Sequence, residues 1–165
     1  RVFRGSLAGP SEAVVRLGGD FSRNPDALLR VTAELEAGAD VAVGSRYSKG
    51  VTVVNWPMSR LLMYYCASRY VRIVTGMPVC DATAGFVGYK REVLAAIDFD
   101  RIEMVGYGFQ IEMKYTAWKM GFRIGEVPII FADRTEGTSK MSGGIFGEAF
   151  FGVLALPFRT IARKK

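Results

Sequence analysis

The chain has 165 residues, half of them hydrophobic, which suffices for one domain with a real core and excludes a disordered tail. Lys and Arg number 22 against 16 Asp and Glu, and the resulting charge of +6 favours a phosphate-rich or anionic-membrane partner without choosing among nucleic acid, lipid and nucleotide. There is no histidine, so Ser-His, Cys-His and His-ligated zinc chemistries are excluded, leaving carboxylates, cations and a bound ion for any catalysis.

The opening RVFRGSLAGPSEA lacks the continuous apolar region of a secretory signal and reads as a chain entered in mid-domain. A strand is predicted at 13–17, then a turn holding a lone acid, Asp20, and a helix capped by Asn24 with Pro25 in its first position. Ala27, Leu28, Val31 and Leu35 give that helix an apolar face, and Gly38 ends it. DVAVGSRY is a second strand. Strand-helix-strand predicts a parallel pair, whose carboxyl ends bring Asp20 and the Ser45–Arg46 turn to one rim.

Pro57 starts a long helix that runs to about Val74 and stops at Gly76 and Pro78. Leu61, Leu62, Tyr65, Ser68 and Val71 are expected along one side of it, with Arg60, Arg69 and Arg72 facing water or an anion. Its Cys66 and the following Cys80 form neither a metal spacing nor a disulfide framework, and read as packing thiols or as a sign of a reducing compartment. VCDATAGFVGYKREVLAAI predicts a turn with an acid, a strand at 85–89 and a short helix. YGFQIEMKYTAWKMG has helical spacing, and FRIGEVPIIFAD reads as a strand that Pro128 interrupts near an edge.

DRTEGTSKM, 133–141, has the composition of a phosphate clamp: Arg134 supplies a planar fork, Lys140 a point charge, and Gly137 allows close backbone approach. From Gly143 to Phe158 the chain is apolar apart from Glu148, and RTIARKK then ends it in basic charge. The run is too short and too interrupted for a confident crossing of a bilayer, so an interfacial helix with a cationic end is expected, a core-packed terminal helix being the alternative. No nucleic-acid motif or basic-aromatic platform is visible.

Taken in order, DFSRNP, ADVAVGSRY, VNWPMSR, GMPVCDATAGFVGYKREVL and GYGFQIEMKYTAWKMGFRIGEVPIIFADRTEGTSKMS resemble the polyprenol (dolichol) monophosphate mannose synthases of glycosyltransferase family 2. The resemblance runs from about Val14 to Ser142. It implies an α/β GT-A (Rossmann-like) fold, here without its N-terminal nucleotide-binding strands because nothing upstream of Val14 matches. On that basis 1–142 is the carboxyl-terminal portion of a GT-A domain, and 143–165 is an amphipathic, basic-ended segment at the membrane interface. The family transfers mannose from GDP-mannose to a polyprenyl phosphate, inverting the anomeric centre, with Mg²⁺ or Mn²⁺, at the cytoplasmic face of a membrane.

Residue by residue, the resemblance implies that Asp20 is the second acid of the metal-binding Asp-x-Asp motif, with Ser22 beside the ion and Gly18 in place of the first acid. Arg46 and Arg60 would face the phosphates of donor and acceptor. Asp81 would line the sugar pocket with Gln110 and Glu112 close by, and Arg134, Ser139 and Lys140 would close over the diphosphate. A polyprenyl phosphate is already a dianion at neutral pH, because a phosphate monoester's second pKa is about 6, so it needs little general-base help and the missing histidine is no obstacle. Two alternatives stay open: a polyprenyl-phosphate glucosyltransferase using UDP-glucose, and a non-catalytic remnant that docks on a membrane. The reading leaves room for a membrane-anchoring partner or fused segment.

Overall fold

A computed structural model describes residues 12–16, 26–132, 143–159 and 161–162. Strands β1 (Ala13–Arg16), β2 (Val41–Ser45), β4 (Val87–Lys90) and β5 (Ile124–Pro128) form one sheet in the order β1-β4-β2-β5. Two residues each of β3 (Val53–Val54) and β6 (Phe131–Ala132) form a small parallel ribbon. Helix α1 (Asp26–Glu36) links β1 to β2 and buries Ala27, Val31 and Leu35, one residue per turn, while Leu28 faces outward.

The expected parallel pair is corrected. β1 and β2 run the same way, but β4 lies between them and is antiparallel to both, so that Tyr89 is opposite Val14 on one side and Val41 on the other. Parallel pairing is instead made by β2 with β5. Local pattern specifies each strand, whereas its neighbour is chosen by contacts far along the chain. Gly88 makes this insertion fit: a Cβ there would come within 2.8 Å of Val31 Cγ1, so only glycine lets α1 press onto the middle of the sheet. The carboxyl ends of β1 and β2 still share an edge, although Asp20 lies outside the described residues. The carboxyl ends of β1, β2 and β5 and the amino end of β4 all lie at one edge of the sheet.

Helix α2 (Met58–Thr75) starts after Pro57 and ends at Gly76, whose φ of +71° and N–H bond to the Arg72 carbonyl give a left-handed cap. Its buried stripe is Tyr64, Ser68, Val71 and Thr75, while Leu62 and Tyr65 are exposed. Ser68 and Val71 of the expected stripe are buried, whereas Tyr64 and Thr75 rather than Leu62 and Tyr65 complete it, because an apolar helix surface fixes the period but not the phase. Short α3 (Arg91–Ala96) follows β4. Then α4 (Gly106–Lys119) runs through the interior: Met113 and Ala117 pack with Val43, Tyr89 and Leu94, and Ile111 and Tyr115 pack with Val71, Met77 and Val153.

The last helix, α5 (Gly143–Ala155), joins that second cluster through Val153, as does Leu156 in the 3₁₀ turn after it. The expected amphipathic character is not borne out, for Phe150, Phe151 and Leu154 are exposed while Val153 is buried, so both sides of its described part are apolar. Among the described residues no helix is long and apolar enough to cross a membrane.

Candidate active site

The rim of the sheet is organised by a buried ion pair. Where β2 ends, Arg46 turns inward. Its Nε and Nη2 donate to the two carboxylate oxygens of Asp81, each at 2.6 Å; its backbone N–H reaches the same carboxylate at 3.0 Å, and Nη2 also donates to Thr83 Oγ1 at 2.8 Å. Asp81 is fully buried and Arg46 only 6% exposed. Burial pushes the Asp81 carboxyl up, but the hydrogen bonds and charge of Arg46 outweigh it and hold the carboxyl below its usual range. The same pairing raises the Arg46 guanidinium against the opposite pull of burial.

The turn carrying Asp81 is held from two further sides. Glu126 of β5 accepts the backbone N–H groups of Cys80 and Asp81 at 2.8 and 3.0 Å. Lys114 of α4, fully buried, donates to the Ala84 carbonyl at 2.8 Å. Around the guanidinium the rings of Tyr47, Trp56, Tyr64 and Phe131 stand 5.2 to 5.8 Å from Arg46 Cζ, so aromatic faces replace water on a charge that could not otherwise be buried. Asn55, with φ of +59°, turns the chain between β3 and α2 and so aims Trp56 inward. Arg60 Cζ is 5.5 Å from the same Trp56 ring, which brings the two expected arginines to one aromatic wall.

An apolar groove of about 300 Å³ runs between α2, α4 and α5 and ends at this knot. Tyr70, Val71, Ile111, Phe150 and Val153 line its body, and Tyr64, Tyr107 and Thr83 its inner end. Tyr64 Oη donates to Tyr107 Oη at 3.1 Å. Thr83 therefore touches both the groove and the Arg46 guanidinium, joining a slot for hydrocarbon to a cation.

The remaining expected residues divide. Gln110 is buried with neither amide head partnered, among the described residues, so it keeps a donor and an acceptor for something else. Glu112, two positions on, accepts the N–H groups of Glu103 and Met104 at 3.1 and 2.8 Å and lies 3.6 Å from Arg159 Nη1. Its carboxylate braces the loop before α4. Asp20, Ser22, Arg134, Ser139 and Lys140, with Gly18, lie outside the described residues. Lys114, Thr83 and Glu126 were missed, since a lysine or glutamate within an ordinary helix or strand pattern reads as solvated.

Over 151 residues the chain is 43% identical to the undecaprenyl-phosphate mannosyltransferase of Micrococcus luteus, a match covering 92% of this chain and 62% of that protein. It is 44% identical over 140 residues to the polyprenol monophosphomannose synthase of Mycolicibacterium smegmatis, covering 85% of this chain and 53% of that one. The chain is a homologue of the polyprenyl-phosphate mannose synthases. It spans about half the length of these curated relatives. A dolichol-phosphate mannosyltransferase of Pyrococcus furiosus is 30% identical over 144 residues, 86% of this chain and 40% of that protein. No protein-family model matches the chain.

Among solved structures, this mannose synthase homologue superposes on glucosyl-3-phosphoglycerate synthase from Mycobacterium tuberculosis in complex with phosphoglyceric acid, with a TM-score of 0.67 at 15% identity over 94% of this chain and 53% of that one. The complex of the same enzyme with Mn²⁺, UDP-glucose and glycerol 3-phosphate gives 0.63 at 16% identity, over 95% and 52%. At such identity the likeness shows the fold, which is GT-A.

Proposed function

We propose that the protein to which this chain belongs transfers mannose from GDP-mannose to a polyprenyl phosphate with inversion at the anomeric carbon, and that this chain carries the acceptor side of the reaction. The observation that carries the reading is the junction of the apolar groove with Arg46 at Thr83. A polyprenyl phosphate is long and apolar with a dianionic end, and the groove and the guanidinium match the two ends of it in order. Asp81 fixes the guanidinium plane by two hydrogen bonds, leaving Nη1 for a phosphate oxygen, with Arg60 along the same Trp56 wall.

The phosphate oxygen attacks C1 of mannose from the face opposite the diphosphate. The bond from C1 to the diphosphate oxygen breaks, GDP leaves, and no proton has to move at the nucleophile. Arg134 and Lys140 are assigned to the negative charge that builds on the diphosphate, and Gln110 to a hydroxyl of the hexose. A divalent cation, Mg²⁺ or Mn²⁺, is assigned to Asp20 with Ser22 as its neighbour, and Ser139 is assigned with Arg134 and Lys140 to the diphosphate; a hard cation of this kind would take carboxylate and phosphate oxygens. Such an ion would supply charge neutralisation at the leaving diphosphate.

Work takes place at the cytoplasmic face of a membrane in this reading. Phe151 and Phe158 of the terminal segment and Met58, Leu62 and Ile73 of α2 are exposed apolar side chains, and Arg69 and Arg72 add positive charge suited to an anionic surface. The test is donor choice: incubated with membranes containing polyprenyl phosphate, the protein is expected to move label into lipid from GDP-[¹⁴C]mannose. Label entering lipid only from UDP-[¹⁴C]glucose would assign the hexose wrongly, and label from neither donor would make the chain a docking remnant.

A further inference from the structure

Behind the Arg46–Asp81 pair lies a lysine for which the transfer reaction has no task. Lys114 Nζ has zero exposure and donates to the Ala84 carbonyl at 2.8 Å, and no carboxylate is in ion-pair contact with it among the described residues. An ammonium has three N–H groups to satisfy, and a dry site offering one neutral acceptor favours the uncharged amine. The charged groups facing it come from three elements. Burial pushes the amine down, the carboxylate of Asp81 pulls it up, Arg46 at the end of β2 pushes it down and Glu126 of β5 pulls it up, and together they leave it at about 7.

Lys114 is mechanically tied to the anion site. The turn it holds is short: Ala84 N–H closes on the Asp81 carbonyl at 3.2 Å, and Thr83 between them accepts from Arg46. A dianion arriving at the guanidinium adds negative charge to a cluster of one guanidinium, two carboxylates and the Lys114 amine, which shifts the balance toward the protonated lysine. We propose that Lys114 is a positioning residue that takes a proton from solvent when the acceptor phosphate docks at Arg46, so that the 81–84 turn gains a second cation only while the site is loaded. The proposal rests on the acceptor reading above.

The test uses farnesyl phosphate, whose own phosphate is already dianionic at pH 8 and so contributes no proton uptake. Titration calorimetry at pH 8 in buffers of different ionisation enthalpy should find on the order of half a proton or more taken up per phosphate bound by the wild type. Lys114→Met and Lys114→Arg should take up close to none, with the arginine variant binding as tightly at pH 8 as at pH 6.5 and the wild type about fivefold more weakly at the higher pH. Equal uptake in wild type and Lys114→Met, or none in the wild type, overturns the proposal. Absence of any farnesyl phosphate binding sinks the acceptor reading and this proposal together, whereas binding without Lys114-dependent uptake sinks this one alone. Should both variants fail to fold, ¹⁵N-lysine spectra of the wild type decide: an Nζ titrating near 7 and moving upward with farnesyl phosphate supports the proposal, and one titrating near 10.5 in both states contradicts it.

Discussion

Two regions meet at Thr83, and they are built on opposite principles. The knot around Arg46 is over-determined: Asp81 receives three hydrogen bonds from Arg46, and Glu126 and Lys114 fix the backbone on either side of it. The groove between α2, α4 and α5 is defined mainly by shape, with aliphatic and aromatic walls tied by the Tyr64–Tyr107 bond and by Tyr70 Oη donating to the Phe150 carbonyl. A buried charge tolerates one geometry, because removing a partner leaves the other desolvated, while an apolar slot tolerates many occupants of similar width. The contrast suits a reaction in which one end of the acceptor must be placed to within a bond length and the other is repetitive hydrocarbon.

Breaking the knot should have the largest effect. Asp81→Ala strands the Arg46 guanidinium in a site where it is only 6% exposed, and is expected to cost about 3–5 kcal/mol of stability, read as a lower denaturation midpoint, with transfer abolished. A midpoint unchanged by Asp81→Ala would mean that the pair is not a determinant of the fold. Filling the groove should cost less and in a different quantity. Ile111→Trp intrudes on the slot without touching the knot, and is expected to raise KM for a long-chain polyprenyl phosphate about tenfold while leaving KM for the sugar nucleotide alone. Equal rises in both would place the groove outside acceptor binding.

Titrating the knot sharpens the comparison further, since Lys114 belongs to it and does not line the groove. In the unfolded chain Lys114 has the ordinary lysine value of 10.5, and folding lowers it to about 7. Between those values the unfolded chain binds a proton that the native chain does not, so stability rises as pH rises from about 7 to 10.5. Lys114→Met should remove that rise, seen as a flatter dependence of Tm on pH. The smallest effect is expected at the surface: Phe151→Ser with Phe158→Ser should lower liposome binding by a few-fold in sedimentation assays and leave Tm within about a degree.

Local chemistry made much of this legible in advance. Pro57 and Gly76 bracket α2 because each fixes a backbone torsion by its own covalent structure, and the strand, helix and strand from Ala13 to Ser45 follow their apolar periods. What the pattern could not carry is partner choice. The insertion of β4 between β1 and β2 depends on Gly88 meeting Val31, residues 57 positions apart, and the phase of α2 depends on which of its many apolar residues reaches Arg46. At the site, Arg46 and Asp81 were both singled out, but as separate contacts to phosphate and sugar. Their pairing consumes most of the valence that those roles assumed, and the lysine that balances them looked like any helix-surface cation.

The central claim is that the groove delivers the acceptor's phosphate to Arg46, and photo-crosslinking with a diazirine-bearing polyprenyl phosphate tests it most directly. The account predicts that adducts map by mass spectrometry to groove residues such as Ile111, Phe150 and Cys66, that unlabelled polyprenyl phosphate displaces them, and that Arg46→Lys weakens them. Adducts spread over Met58, Ile73 and Phe158 without competition, and indifferent to residue 46, would contradict it.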